Sequence, residues 1–287
     1  MQPPLTELLA RIRNIQPMPQ VALRVLELSQ RSDVVPRELV DVIQTEPALT
    51  AKVLRLVNSA YYGFKRQIAS LGEAGNLLGT GALVNVVLTG CGARYFHECP
   101  ARNDEERATR WRRSVSCALA TSLLAKVTHA AEPGRAYTAA LLQDLGELVL
   151  AGLPRSHADE LDRRMAAGTP RLDAEEQVYG LTHAEVGARL ATRWNFPELL
   201  IDTLRYHHAP ERATVDPALA SLVNLGASVV DDLESDTRSE LGSGLGSGLV
   251  ASPTALALLG VDLSALATMH APLQRELERA RDFIEAA

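Results

Sequence analysis

Aromatic residues are scarce: Phe, Tyr and Trp together make up 4% of the 287 residues. Strands draw on aromatic and β-branched side chains, so this poverty argues against a sheet. Cysteine is equally sparse. Cys91, Cys99 and Cys117 are odd in number and lack the paired spacing of a zinc site, so they read as buried, reduced thiols. Cys91, His97 and Cys99 form the one metal-like grouping along the chain, and no second Cys/His pair completes it. Positive charge is not in excess either. Lys and Arg number 29 against 35 Asp and Glu, a net charge of −6, which excludes a sequence-independent nucleic-acid binder. No uninterrupted apolar run approaches the roughly 20 residues a bilayer requires, and no charged leader with an apolar core opens the sequence, so a cytoplasmic location is expected. A Walker loop, a dinucleotide fingerprint, a nucleophile elbow and a zinc-protease helix are all missing.

What remains is rich in Ala and Leu, 46% hydrophobic, with apolar residues recurring at three- and four-residue spacing almost throughout. That pattern predicts an all-α chain with a substantial core. Helices are expected near 5–14, 20–31, 36–45, 47–60, 70–78 and 80–96, punctuated by Pro17, Pro19, Pro36, Pro47 and Gly63. The polar stretch 97–106, HECPARNDEE, reads as a connection between two halves. Beyond it, helices are expected at 107–128, 136–152, 155–167, 171–179, 183–195 and 197–208, with Gly and Pro between them. A helix near 217–233 is followed by ESDTRSELGSGLGSGLVASP, a flexible loop over 234–253 rather than a phosphate cradle. Leu273, Leu277, Ala280 and Ile284 then describe an amphipathic C-terminal helix, expected to dock on the main body or a partner.

Several polar residues interrupt apolar faces in the second half. In AYTAALLQDLGELVL, Asp144 breaks an apolar helix, so its carboxylate must meet solvent or a partner. Thr182-His183-Ala184-Glu185 has the form of a capping box, placing His183 at the first helical position, where free amides favour anions. His207-His208 ends the next helix, and only one of the two can continue its apolar face. Asn58, Ser59, Tyr61 and Tyr62 read as a polar helix end whose tyrosines pack between the halves.

Residues 46–63, EPALTAKVLRLVNSAYYG, carry a more specific signal. An acidic residue and Pro ahead of a Leu-rich helix ending in Asn-Ser-Ala-Tyr-Tyr-Gly resembles the HDOD family, relatives of the HD and HD-GYP phosphohydrolases. The second half resembles the HD pattern piecewise. A Trp-x-His-Ser-like helix is matched by Trp111-Arg112-Arg113-Ser114, a Leu-Leu-His-Asp helix by Leu141-Leu142-Gln143-Asp144, and a His-x-x-x-Gly helix by His183 to Gly187; His207-His208 then fall in register.

The resemblance implies an N-terminal multi-helix bundle packed on a degenerate HD-domain-like bundle: an HDOD domain over 15–210, divided into 1–98 and 105–210, then a helical extension over 211–287. In active HD enzymes the first His, the His-Asp pair and a late Asp hold a metal ion. Here Arg113, Gln143 and Ala227 stand at three of those positions and Asp144 alone is kept. Guanidinium has no lone pair to offer and a carboxamide is a weak ligand. Arg113, Gln143, Asp144, His183, His207 and His208 therefore read as vestigial, with no catalytic residue, metal or cofactor expected. If Arg113 and Asp144 converge, the guanidinium takes the cation's place in a buried pair. A separate expectation puts an anion site at Arg110, Arg113 and His183. The reading that follows is a non-enzymatic signalling protein working through protein contacts. Its expected partner is a cyclic-dinucleotide or two-component system protein, or a second copy. A metal-dependent phosphohydrolase or phosphodiesterase on a cyclic dinucleotide, and a nucleotide receptor without turnover, are the alternatives.

Overall fold

A computed structural model describes residues 5–98, 100, 101, 103–240 and 251–287, with the side chains of 5, 6 and 236–240 left undescribed. The chain is all-α, and no strand occurs among the described residues. The first half comprises α1 (Leu5–Asn14), α2 (Gln20–Ser29), α3 (Pro36–Ile43), α4 (Pro47–Val57) and α5 (Leu71–Glu98). Proline opens α3 and α4, where its missing amide costs nothing. Gly79, at φ 75°, interrupts α5 between the two helices expected there. By length and composition α5 suits a bilayer, yet 56% of its most apolar window is buried within the protein, as befits a core helix.

The family-like motif at the end of α4 acts structurally. The Asn58 carboxamide donates to the Ile68 carbonyl at 2.9 Å and accepts from the Ile68 amide at 2.7 Å, clamping the approach to α5. Glu46 stands at the N-cap of α4 without a side-chain capping bond.

The second half comprises α6 (Asp104–Thr128), α7 (Pro133–Leu142), α8 (Leu145–Leu150), α9 (Arg155–Ala166), α10 (Arg171–Tyr179), α11 (His183–Arg193) and α12 (Glu198–Tyr206). The helix expected over 136–152 is in fact two, broken at Gln143–Asp144, where Asp144 has non-helical φ −96°, ψ 18°. This break turns a carboxylate out of an otherwise apolar run. α13 (Pro217–Glu240) continues seven residues past the end expected for it, so 234–240 is helix and not loop; residues 241–250 lie outside the described residues.

The C-terminal region holds α14 (Pro253–Leu259), α15 (Leu263–Ala267) and α16 (His270–Ala286), where a single helix was expected. The first two are too short to show a period, and their caps define them: Ser252 accepts from the Ala255 amide and Asp262 from the Ala265 amide. α16 docks on the body. Phe283 meets Tyr61 and Tyr62 at ring-centroid separations of 5.2 and 6.0 Å, and the Trp111 indole donates to the Ile284 carbonyl at 3.0 Å. The tyrosines of the motif thus pack against the C-terminal helix as well as their own half. Cys91 and Cys117 are buried thiols, each pushed up to about 12 by burial, while Cys99 lies outside the described residues.

Candidate metal and substrate site

Two glycines create the site by letting backbones touch. A Cβ on Gly146 would stand 1.9 Å from the His183 carbonyl oxygen and 2.7 Å from the Gly187 nitrogen, so α8 crosses α11 at backbone contact. Asp144 is the N-cap of α8 and His183 the first residue of α11, so this crossing brings them together. The Thr182 cap forms as the motif predicts, accepting from the Glu185 amide at 3.3 Å. α12 then delivers His207 and His208 from its C-terminal end.

Four groups converge. The His183 and His208 Nε2 atoms stand 2.9 Å apart, and the Asp144 Oδ1 lies 3.7 Å from His183 Nε2 and 3.9 Å from His207 Nε2. His207 donates from Nδ1 to the Leu204 carbonyl at 2.8 Å, which leaves Nε2 as a lone-pair acceptor. Burial holds His207 neutral, down to about 4, and desolvation with its two imidazole neighbours pushes His208 the same way, although its outer edge reaches solvent. Among the described residues the buried His207 Nε2 and Gln143 Oε1 have no hydrogen-bond partner. His207 Nε2 faces the Asp144 carboxylate, which accepts from Gln143 Nε2 at 3.3 Å, so a ring lone pair and a carboxylate oxygen meet there without a proton between them.

Glu175, on α10, was not singled out by sequence reasoning. It is 1% exposed and accepts from both the His183 amide, at 2.8 Å, and His183 Nδ1, at 2.7 Å. The anion at the start of α11 is therefore the protein's own carboxylate. Arg171 bonds Glu175 at 2.9 Å and joins Glu147. Burial opposes charge on both partners, yet the mutual bond lowers the Glu175 pKa and raises that of His183. An acidic residue eight positions before the histidine that opens α11 was the signal available, but nothing in periodicity tells a buried carboxylate from an exposed one.

Arg113 does not pair with Asp144. Its Nη1 bonds Asp231 on α13 at 2.5 Å, with Glu234 at 3.9 Å, and Asp144 acts on it only at longer range. The expected substitution of guanidinium for a cation is thus corrected: α13, 118 residues away in sequence, supplies the counter-charge. Nor do Arg110, Arg113 and His183 form one anion site. Arg110 bonds Glu106 at 2.7 Å and lines a cavity beside α9 and α10, whereas Arg113 lines a different cavity of about 500 Å³ with Asp144, Gln143, His207 and His208. Ala227 borders that second cavity and offers no ligand.

Among the described residues the chain is a helical bundle in which an interrupted helix brings Asp144 beside a cluster of three histidines. The HDOD domain pattern matches residues 15–210, and the chain belongs to that family. An HDOD domain protein with unknown function from Geobacter sulfurreducens is 25% identical, with a TM-score of 0.77, covering 97% of this chain and 96% of that one. A candidate phosphohydrolase from Shewanella amazonensis SB2B shares the fold at 22% identity and a TM-score of 0.73, covering 96% of this chain and 97% of that one. An uncharacterized protein of Treponema pallidum (strain Nichols) is 30% identical over 207 residues; the match covers 70% of this chain, which spans 40% of the length of that curated relative. The expectation of a non-enzyme is overturned here. It rested on the loss of ligands at Arg113, Gln143 and Ala227, whereas the fold is shared with a protein named for phosphohydrolysis, and two groups, His183 with His207 and His208 and Asp144 with Glu147 and His183, are placed so that they could hold a metal ion.

Proposed function

We propose that this chain is a metal-dependent phosphohydrolase of the HDOD family, its metal held by His183, His207, His208 and Asp144. The convergence of ligand-capable side-chain atoms carries the reading. Three imidazole nitrogens with mutual reach below 4.8 Å, a carboxylate beside them and an orphaned Nε2 on His207 form a donor set suited to a first-row divalent ion. The donors fit such an ion because two of the rings are held neutral and Glu175 orients the third from behind. The chemistry supplied by a bound ion is activation of water and neutralisation of phosphoryl charge. The chain's own residues do the remainder. Arg113, kept charged and fixed by Asp231, faces the same cavity and orients a phosphoryl oxygen, and the Leu204 carbonyl and Glu175 hold the His207 and His183 rings in place.

A regulatory setting belongs to this proposal. A protein of a cyclic-dinucleotide or two-component pathway, or a second copy of the chain, is the partner that the HDOD resemblance implies, and a cytoplasmic location goes with it. The test is direct. Metal-stripped protein titrated with Zn²⁺ and Mn²⁺ should bind one ion per chain, and the loaded protein should release p-nitrophenol from p-nitrophenyl phosphate. His207→Ala and Asp144→Asn should weaken metal binding by more than about tenfold. No binding of either ion at high micromolar concentration, with no hydrolysis, would sink the proposal.

A further inference from the structure

Residues beyond the family match close the cavity in front of the histidines. Glu211, Asn224, Ser228, Asp231, Ser252 and Thr254 line one side of it, all past residue 210. Asn224 makes this wall part of the site: its Nδ2 donates to the His207 carbonyl at 2.8 Å, and its Oδ1 accepts from the Ser252 amide at 3.2 Å. One side chain therefore links the backbone of His207 to the segment leading into α14. The wall is mainly polar, presenting the hydroxyl oxygens of Ser228, Ser252 and Thr254 and the carboxylate of Glu211, with Ala227, Ala251 and Pro253 between them, while Asn224 is engaged by backbone and Asp231 by Arg113. No aromatic ring lines the cavity among the described residues other than His207 and His208, and the sequence holds no Phe, Tyr or Trp between Tyr206 and Phe283.

Nucleobases are held chiefly by stacking on aromatic faces, and this wall has none to give. Sugar hydroxyls are held by hydroxyl and carboxylate groups, which Ser228, Ser252, Thr254 and Glu211 supply here. With Asp231 engaged by Arg113, the Glu211 carboxylate at the wall disfavours a substrate with several phosphates. We infer that the C-terminal extension selects the substrate, and that the substrate is a phosphomonoester of a polyhydroxylated, non-aromatic alcohol, a sugar phosphate in class. This rests on the phosphohydrolase reading. Hydrolysis then breaks the bond between phosphorus and the sugar oxygen; water supplies the new hydroxyl on phosphorus and a proton to the departing oxygen, giving inorganic phosphate and the free sugar.

The experiment uses the full chain loaded with Mn²⁺ or Zn²⁺. Phosphate release is followed from glucose 6-phosphate, AMP and p-nitrophenyl phosphate, hydrolysis of cyclic di-GMP is followed by chromatography, and binding of each to the loaded protein is followed by calorimetry. Glucose 6-phosphate should be preferred over AMP and cyclic di-GMP in kcat/KM. Thr254→Val should raise KM for glucose 6-phosphate about three- to tenfold more than KM for p-nitrophenyl phosphate, the effect of one lost hydroxyl contact. Ser228→Ala provides the same readout on a second residue if Thr254→Val folds poorly. Metal binding with a preference for AMP or cyclic di-GMP, or equal KM changes for both substrates in the variants, overturns the inference and leaves the phosphohydrolase reading standing. Metal binding with neither turnover nor binding of glucose 6-phosphate overturns it too. Absence of both metal binding and hydrolysis removes the phosphohydrolase reading itself.

Discussion

Replacing Gly146 by Ala tests the contact on which the site depends. The new Cβ would lie 1.9 Å from the His183 carbonyl oxygen, and 2.7 Å from the Gly187 nitrogen. Carbon and oxygen in contact normally stand at least about 3.3 Å apart, so α8 and α11 would have to part by about 1.4 Å. Both obstacles are backbone and cannot rotate aside. Overpacking of this kind costs about 3 kcal/mol, and the better helix propensity of Ala offsets about 1 kcal/mol, leaving a net loss of about 2 kcal/mol. The separation also carries Asp144 away from His183, by far more than the roughly 0.2 Å that metal coordination tolerates. Urea unfolding should therefore show the loss, and Zn²⁺ titration a fall in affinity of at least about tenfold. Gly187→Ala is the control: its Cβ would meet the Gly146 nitrogen at 3.1 Å, a mild crowding that neighbours absorb with a small shift. A Gly146→Ala protein within about 0.5 kcal/mol of the parent, with unaltered Zn²⁺ affinity, would refute the argument.

Three further outcomes follow from the same geometry. Glu175→Ala leaves the His183 amide and Nδ1 without their acceptor and Arg171 less compensated, so it should cost about 3–5 kcal/mol in urea unfolding, and Glu175→Gln should cost clearly less. His207 is held neutral down to about 4 against an ordinary 6.5. The unfolded chain therefore takes up its proton first on acidification, and stability that is complete above about pH 6.5 should fall by about 3 kcal/mol towards pH 4. The lowered carboxylates of Asp144 and Glu175 add to the acid loss, whereas raised His183 acts oppositely, its contribution fading as pH rises through its folded value. Unfolding curves at pH 7 and pH 5 for the parent and His207→Asn should differ less in the variant; equal slopes would contradict this. Trp111→Phe removes the bond to the Ile284 carbonyl and should loosen α16 by about 1 kcal/mol, visible as faster amide exchange over 270–286.

Much of the fold was legible residue by residue. Pro36, Pro47, Gly63 and Gly79 mark helix starts and breaks because their backbone restrictions act locally, and Thr182 announces α11 through a cap formed within four residues. The break at Gln143–Asp144 was not legible, since Leu141, Leu145 and Leu148 keep a helical period across it and tertiary packing overrides that period. α14 and α15 escaped for a different reason, being shorter than the window in which a period can be recognised.

The site divides in the same way. Asp144, His183, His207 and His208 stood out as polar residues at the ends or breaks of apolar helices, so their identity was present in the linear chain. Their meaning was not. Three lost ligand positions suggested an inert relic, yet crossing helices assembled a different donor set. Arg113 took its partner from α13 rather than from Asp144, and Glu175 emerged as the residue behind His183. Local composition determines where helices begin, which face is apolar and which family the chain joins, because those depend on neighbours within a turn or two. Only the tertiary structure decides which side chains share a cavity, because that depends on how closely two backbones approach, and here the missing side chains of Gly146 and Gly187 set that distance.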